Sequence, residues 1–354
     1  MAVVSVSKIH RFVESFENHC FYIGIDVHKK SWSVALLRED GLMEDFVMPP
    51  EPSLLTSLLE NLPIQISSIT YEAGPTGFGL ARYLQAHDYN VIVAPPSRIP
   101  RPVTAGAKTD RLDCRKLAEL SSSGLLHSIA IPRLEEEALR ALVRRRHQIT
   151  DSLRRVKQRI RSLLLLLGME EPPQLDSWGK RALEVLANLE LPSVHRDTLH
   201  SHLRELEFFS AEQRHIDKRV EQILGQFTPQ TYQALKSVPG VGHVVASSYL
   251  AEVFRPQRFD EPGQVASYLG LAPMVHQSGG KKDRGRLRPV GQQRLRSLLI
   301  EAAWIWKNKD EQARELYNRL IGKHGIPQKA ITAVARQLAI LLWRLSLQNR
   351  IQTV

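Results

Sequence analysis

The sequence predicts an α/β domain followed by a mainly helical remainder, on three observations. Short runs rich in β-branched and aromatic residues alternate with helical stretches as far as Ile131 and Pro132. Beyond that point the character changes to long, charged helical patterns. The 354 residues are enough for roughly two domains of about 150 residues, each burying a core of its own.

The elements follow in order. "FYIGIDVHKKSWSVALLRED", from Phe21, reads as two strands joined by a polar turn around His28 to Lys30, the first ending on Asp26. "PSLLTSLLENL" has helical spacing. "ISSITYEAGPTG" returns to strand, carries Glu72, and breaks at Gly74 and Pro75. "GLARYLQAHDY" is helical again, and "NVIVAPP" is a short buried strand closed by prolines. A helix is expected from near Thr109, in "TDRLDCRKLAELSSSGLL", with Asp110 and Asp113 on one face.

After Pro132, "EEEALRALVRRRHQITDSLRRVKQRIRSLLLLLG" predicts a long helix with an apolar stripe and a dense basic face that includes Arg144, Arg145, Arg146, Arg154 and Arg155. Gly168, Pro172 and Pro173 interrupt it. "LHSHLRELEFFSAEQRHIDKRVEQILGQF" then has the spaced leucines and isoleucines of a helical pair or coiled coil. From Thr228 a third region opens with "LKSVPGVGHVVASSYLAEV", a tight turn at Pro239 to Gly242 leading into a helix. A basic loop, "MVHQSGGKKDRGRLRPVG", and the helices "QQRLRSLLIEAAWIWKN" and "KAITAVARQLAILLWRLSLQ" complete it. Trp304, Trp306 and Trp343 fall on apolar helical spacing and are expected in the core. The expected divisions are an extension over residues 1–20, an α/β domain over 21–132, a helical arm over 133–227 and a C-terminal domain over 228–354.

Lysine and arginine outnumber the acids by 48 to 37, a net charge of +11. Such a surface attracts polyanions: nucleic acid, an anionic membrane or an acidic protein. The longest aliphatic run, Leu163 to Leu167, is far short of the ~20 residues that cross a bilayer. Lys8 and Arg11 break the apolar run of the N-terminus, which lacks the core of a secretory signal. A cytoplasmic location and no membrane partner are expected. The two cysteines, Cys20 and Cys114, form neither a zinc-knuckle pattern nor a disulfide framework.

Taken singly, Asp26, Glu72, Asp110 and Asp113 read as turn formers or as acids placed favourably at a helix start. Together they form a set of hard oxygen donors suited to Mg²⁺ or Mn²⁺, since clustered carboxylates repel without a cation or proton between them. Two such ions would clamp the attacking and leaving oxygens of a phosphodiester. In a basic chain this points to phosphoryl transfer on nucleic acid.

At these residues the sequence resembles a known family. "YIGIDVHKKSWSVAL", "TYEAGPTGFGLARYL", "VIVAPPSRIPRPVTAGAKTDRLDCRKLAEL", "LKSVPGVGHVVASSYLAEV", "YLGLAPMVHQSGGKKDRGRL" and "LRSLLIEAAW" are similar to the DEDD transposases of bacterial insertion sequences, a group that includes pilin-gene invertases and bridge-RNA-guided recombinases. The resemblance runs from Phe21 to the C-terminus. It implies a RuvC-like, ribonuclease-H-type domain with its acidic tetrad on Asp26, Glu72, Asp110 and Asp113, and a nucleophilic serine on Ser278. It also implies donor and target DNA as partners, and for some members a structured guide RNA. The sequence departs from the family at "RPVGQQRLR", where relatives commonly carry Asn or Asp after the glycine, so no contact is carried over to Gln292.

Two further features bear on nucleic acid. Gly240 and Gly242 would let backbone approach a phosphate ahead of a helix N-terminus, an arrangement that resembles a helix-hairpin-helix. Gly279 and Gly280 would give Ser278 the same freedom, with Lys281, Lys282, Arg284 and Arg286 to hold a strand. The expectation is a recombinase that cuts and rejoins DNA through a phosphoserine, assembled as dimers pairing into a tetramer. Its rivals are a metal-dependent nuclease in which water attacks, and a noncatalytic nucleic-acid-binding protein.

Overall fold

Strands form where β-branched and aromatic residues cluster, and helices where apolar residues recur every three or four positions. The computed structural model describes residues 6–14, 19–100, 110–278, 281–287 and 291–348. It divides into two units, residues 1–132 and 133–354. The first contains α1 (Val6–Val13), β1 (Cys20–Val27), β2 (Trp32–Arg38), β3 (Met43–Met48), α2 (Pro52–Glu60), β4 (Gln65–Glu72), α3 (Gly79–Gln85), β5 (Val91–Ala94) and α4 (Asp110–Ser122). The second contains α5 (Leu134–Leu166), α6 (Lys180–Ala187), α7 (Ser193–Phe227), α8 (Pro229–Lys236), α9 (His243–Val253), α10 (Pro262–Tyr268), β6 (Pro273–Ser278), β7 (Lys281–Leu287), α11 (Gln293–Lys309), α12 (Glu311–His324) and α13 (Pro327–Gln348).

In the first unit the strand order is β3-β2-β1-β4-β5. The first three strands form an antiparallel meander, and β4 and β5 add parallel to β1. Ile23, Ile25, Val34, Ile69 and Tyr71 pack on one side with Ile9, Val13, Leu55 and Leu84 from α1, α2 and α3. α4 lies on the other side, where Cys114 and Ala118 meet Ala35 and Leu37. Two elements go beyond the sequence reading. α1 gives Ile9 and Val13 to the core, so part of the expected extension is structural. β3 escapes the sequence pattern because Glu44 and Asp45 break its apolar run; Asp45 is accounted for by an ion pair with Arg115 of α4.

Gly24 governs how closely α4 lies on the sheet. A Cβ built there would stand 2.0 Å from the carbonyl oxygen of Cys114 and 2.7 Å from the amide nitrogen of Ala118. Those are backbone atoms and cannot swing aside. At the far end of the helix, the Ser121 hydroxyl bonds to Ser68 at 2.7 Å and receives the Thr70 hydroxyl at 2.9 Å.

In the second unit α5, of 33 residues, spans about 50 Å and packs along α7. Residues of α5 and α7 share one apolar cluster with α8 to α13, so the arm and the helices after it have a common core. α13 is long and apolar enough to cross a bilayer, yet Val334, Ala335, Leu338, Ala339 and Leu342 are fully buried in that cluster. Tyr249 donates to the Ala339 carbonyl and Trp343 to the Pro256 carbonyl, which ties α13 to its neighbours. Trp306 and Trp343 are buried as expected, and Trp304 is not: it is 39% exposed.

His147 of α5 is buried, with Nε2 3.1 Å from the Ser248 hydroxyl of α9. Burial, then the neighbouring Arg294 and Arg146, hold its pKa down to about 4. The folded pKa lies below the unfolded value, so the unfolded chain binds the extra proton. His147 therefore leaves stability intact above about pH 6.5 and lowers it as pH falls from there towards 4. Urea denaturation at pH 7.5 and pH 4.5 should show a loss that shrinks in His147→Gln. Gly24→Ala should cost about 2–3 kcal/mol, read in the same titration.

Candidate active site

β1 and β4 run parallel with Gly24 opposite Thr70 and Ile25 opposite Tyr71. The next residues in that register are Asp26 and Glu72, on strands about 4.8 Å apart. Side chains alternate along a strand. Gly24 faces α4, and so does Thr70 through its bond to Ser121. Two residues further on, Asp26 and Glu72 therefore come to that same face, side by side where both strands end. Tyr71, between them in parity, is buried against the opposite core. α4 starts at Asp110 and passes over Gly24 at Cys114, so its first turn, with half-buried Asp113, lies near this end of the face. For Asp110 the structure describes the backbone alone.

The electrostatics agree with this placement. The buried Cys114 thiol is pushed up to about 12, by burial first and then by the charges of Asp45 and Asp26. It is therefore inert as a thiolate. His28, expected only as part of a turn, bonds through Nε2 to Asp26 Oδ2 at 3.0 Å. Its spacing of two residues from Asp26 is the signal that could have found it. Among the described residues, no group of three or more His, Cys, Asp and Glu side chains is arranged to hold a metal ion. Asp26 and Glu72 are nonetheless hard oxygen donors at one place, and that chemistry fits Mg²⁺ or Mn²⁺ better than a softer metal.

The second unit carries the remaining candidates. Ser278, expected in a loop, ends strand β6, where it pairs with Lys281 of β7. Lys282, Arg284 and Arg286 follow along β7. Gly279 and Gly280 lie outside the described residues. The basic segment is thus a two-stranded ribbon whose cross-strand pairing begins at the serine.

The turn between α8 and α9 is built from both sides. Gly240 has φ +86°, and a Cβ there would stand 2.5 Å from the Ala302 carbonyl oxygen of α11. Only glycine meets both conditions. Gly242 caps α9 without a side-chain oxygen, and a Cβ there would meet nothing within 4 Å. Behind it, His243 Nδ1 is 2.7 Å from the Tyr232 hydroxyl and its Nε2 is 3.3 Å from Asp217 Oδ1. The latter is an ion-pair distance without hydrogen-bond alignment. Tyr232 is pushed up to about 12 by burial, Glu221 and Asp217, so it stays protonated and can donate.

The arm arginines divide into two sets. Arg146 bonds Asp217 at 2.7 Å, which links the arm to the support of the turn. Arg144 forms a bidentate pair with buried Glu252 at 2.8 and 3.0 Å. Arg145, Arg154 and Arg155 are exposed; their contacts to Gln148, Asp151 and Ser152 are 3.4 to 3.6 Å long.

Residues 23–169 match a model of DEDD transposases of the IS110 type, described as "Transposase". Residues 232–318 match the model described as "Transposase IS116/IS110/IS902 family". The chain is similar to a putative transposase, y4qE, of Sinorhizobium fredii, at 30% identity over 79% of this chain and 75% of the relative. It is similar to the transposase for insertion sequence element IS1533 of Leptospira borgpetersenii, at 27% over 80% and 84%. With the transposase for IS1328 of Yersinia enterocolitica it shares 24% identity over 93% of this chain and 97% of the other. A relative aligned over three quarters of its own length, and models matched in both units, lead to one conclusion: the chain belongs to the IS116/IS110/IS902 family of insertion-sequence transposases.

Proposed function

We propose that the chain cuts and rejoins DNA through a covalent link to Ser278, with donor and target sites brought together by more than one protomer. The observation that carries this reading is the pairing of Asp26 with Glu72 at the end of one sheet face, beside the first turn of α4, in a member of a transposase family. Divalent-metal dependence is typical of DEDD transposases. Asp26, Glu72, Asp110 and Asp113 would hold Mg²⁺ or Mn²⁺, which when bound supplies Lewis-acid polarisation of a phosphoryl oxygen.

The chain's own residues do the rest. The Ser278 hydroxyl attacks phosphorus; a serine O–P bond forms as the P–O bond to the leaving strand breaks. The serine proton ends on the departing hydroxyl. Attack by a second strand's hydroxyl reverses these steps, frees the serine and restores a phosphodiester without ATP. Lys281, Lys282, Arg284 and Arg286 hold the strand and offset charge on the phosphoryl oxygens. Gly242 and the start of α9 take a neighbouring phosphate, with Gly240 fixing the turn. The chemistry requires Ser278 and the acids to meet at one phosphorus, within one chain or across subunits. Joining two duplexes calls for dimers that pair into a tetramer. A structured guide RNA selecting the sites by base pairing belongs to the same proposal.

Incubation with a nicked suicide substrate should trap a protein–DNA adduct in the wild type and none in Ser278→Ala or Asp26→Asn. An adduct that persists in Ser278→Ala removes the serine from the nucleophile role. Cleavage without any adduct identifies a nuclease that uses water. Replacing Arg145, Arg154 and Arg155 with Gln should flatten the slope of log K against log salt by about 0.9 for each phosphate no longer neutralised. Arg144→Gln and Arg146→Gln should instead lower the thermal midpoint and leave that slope in place.

A further inference from the structure

Trp304 stands apart from the other tryptophans. Trp32, Trp306 and Trp343 are 4 to 7% exposed and Trp178 is half-buried, whereas Trp304 is 39% exposed on α11. Ile305 beside it is 53% exposed. The indole meets the Tyr317 ring of α12 edge-on, with centroids 5.7 Å apart. The Lys307 ammonium stands 5.3 Å from the Trp304 centroid and 4.7 Å from that of Tyr317. Lys309 follows in the last turn of the helix. Ile305, next to Trp304 in the helix, has its Cβ 3.1 Å from where a Cβ of residue 240 would stand, so the glycine turn ahead of α9 lies against a different side of α11 from the indole.

We infer that Trp304, with Tyr317 and Lys307 beside it, is a stacking platform for an unpaired nucleobase of a bound strand. The inference rests on the reading of the chain as a nucleic-acid-binding transposase and adds a preference for distorted or unpaired strand. A flat apolar ring beside Lys307, with Lys309 following, matches a nucleotide in two parts, base and phosphate charge. Charge argues against a second copy of the chain on this surface, because a partner with net charge +11 meets Lys307 and Lys309 with like charge.

The test uses the full chain and three probes of about 30 base pairs, long enough to span the basic surface: a paired DNA duplex, the same duplex with three unpaired thymidines at its centre, and the equivalent bulged RNA. Wild type should bind the bulged DNA about tenfold more tightly than the paired duplex. Trp304→Ala should reduce that preference to about twofold or less, and Trp304→Phe should keep most of it. A preference confined to the RNA probe, and abolished in Trp304→Ala, supports the platform and assigns the base to RNA. Equal binding of paired and bulged probes by wild type, or a preference that survives in Trp304→Ala, overturns the inference. A wild type that binds no probe overturns the nucleic-acid reading itself. Should Trp304→Ala fail to melt cooperatively, fluorescence decides: the bulged probe must quench wild type more than Trp304→Phe, and equal quenching rejects the platform.

Discussion

The contact between α4 and β1 at Gly24 is the constraint on which the first unit depends. Because residue 24 has no Cβ, the helix backbone reaches the strand itself, with a carbonyl oxygen where a methyl group would otherwise be. That approach lets the short side chains Cys114, Ala118 and Ala35 fill the space between helix and sheet. It brings the start of α4 to the end of β1, where Asp26 stands. A larger residue at 24 would lift the helix and with it the acids at its first turn. The ion pair of Arg115 with Asp45 and the hydroxyl cluster around Ser121 hold the helix in place along its length. The approach of the first turn of α4 to the end of β1 is therefore a packing property before it is an electrostatic one.

The second unit uses a comparable device at Gly240. There the turn before α9 lies against the backbone of α11, and a left-handed φ closes it. The surrounding charges are structural in large part. Asp217 receives Arg146 on one side and stands near His243 on the other, while Glu252 receives Arg144 with Arg140 close by at 3.6 Å. Burying a carboxylate such as Glu252 is costly unless cations compensate it, and two of the three consecutive arginines pair with acids of the same unit, Arg144 doing so from an exposed position. A run of basic residues on a helix thus contains two populations, those that pair with acids distant in the sequence and those that face solvent with only long local contacts.

Trp304 and Ser278 show where periodicity misleads. Trp304 has the same helical spacing as its buried neighbour Trp306, yet two residues on a helix differ by about 200° around the axis, so one faces the core when the other faces out. Ser278 sits among glycines and lysines that resemble a solvated loop. Cross-strand hydrogen bonds between "PMVHQS" and "KKDRGRL" form a ribbon there although neither segment alternates strongly. In both cases the deciding interaction lies outside the local pattern.

By itself the sequence determined the alternation of strands and helices up to Pro132, the long helices after it and the basic balance, and it singled out the acids and the serine as candidates. These are local properties, set by side-chain periodicity and charge. Its ordered motifs also sufficed to point to the family. Tertiary structure alone decided that Asp26 and Glu72 are neighbours, since register between parallel strands depends on how β1 and β4 pair with β2, β3 and α2 between them in the chain. It also decided that His28 bonds Asp26, that Arg144 and Arg146 are committed to acids more than 70 residues away, and that Trp304 stands in solvent. Each of those outcomes depends on which surfaces the folded chain brings together, and no periodicity within a segment encodes that.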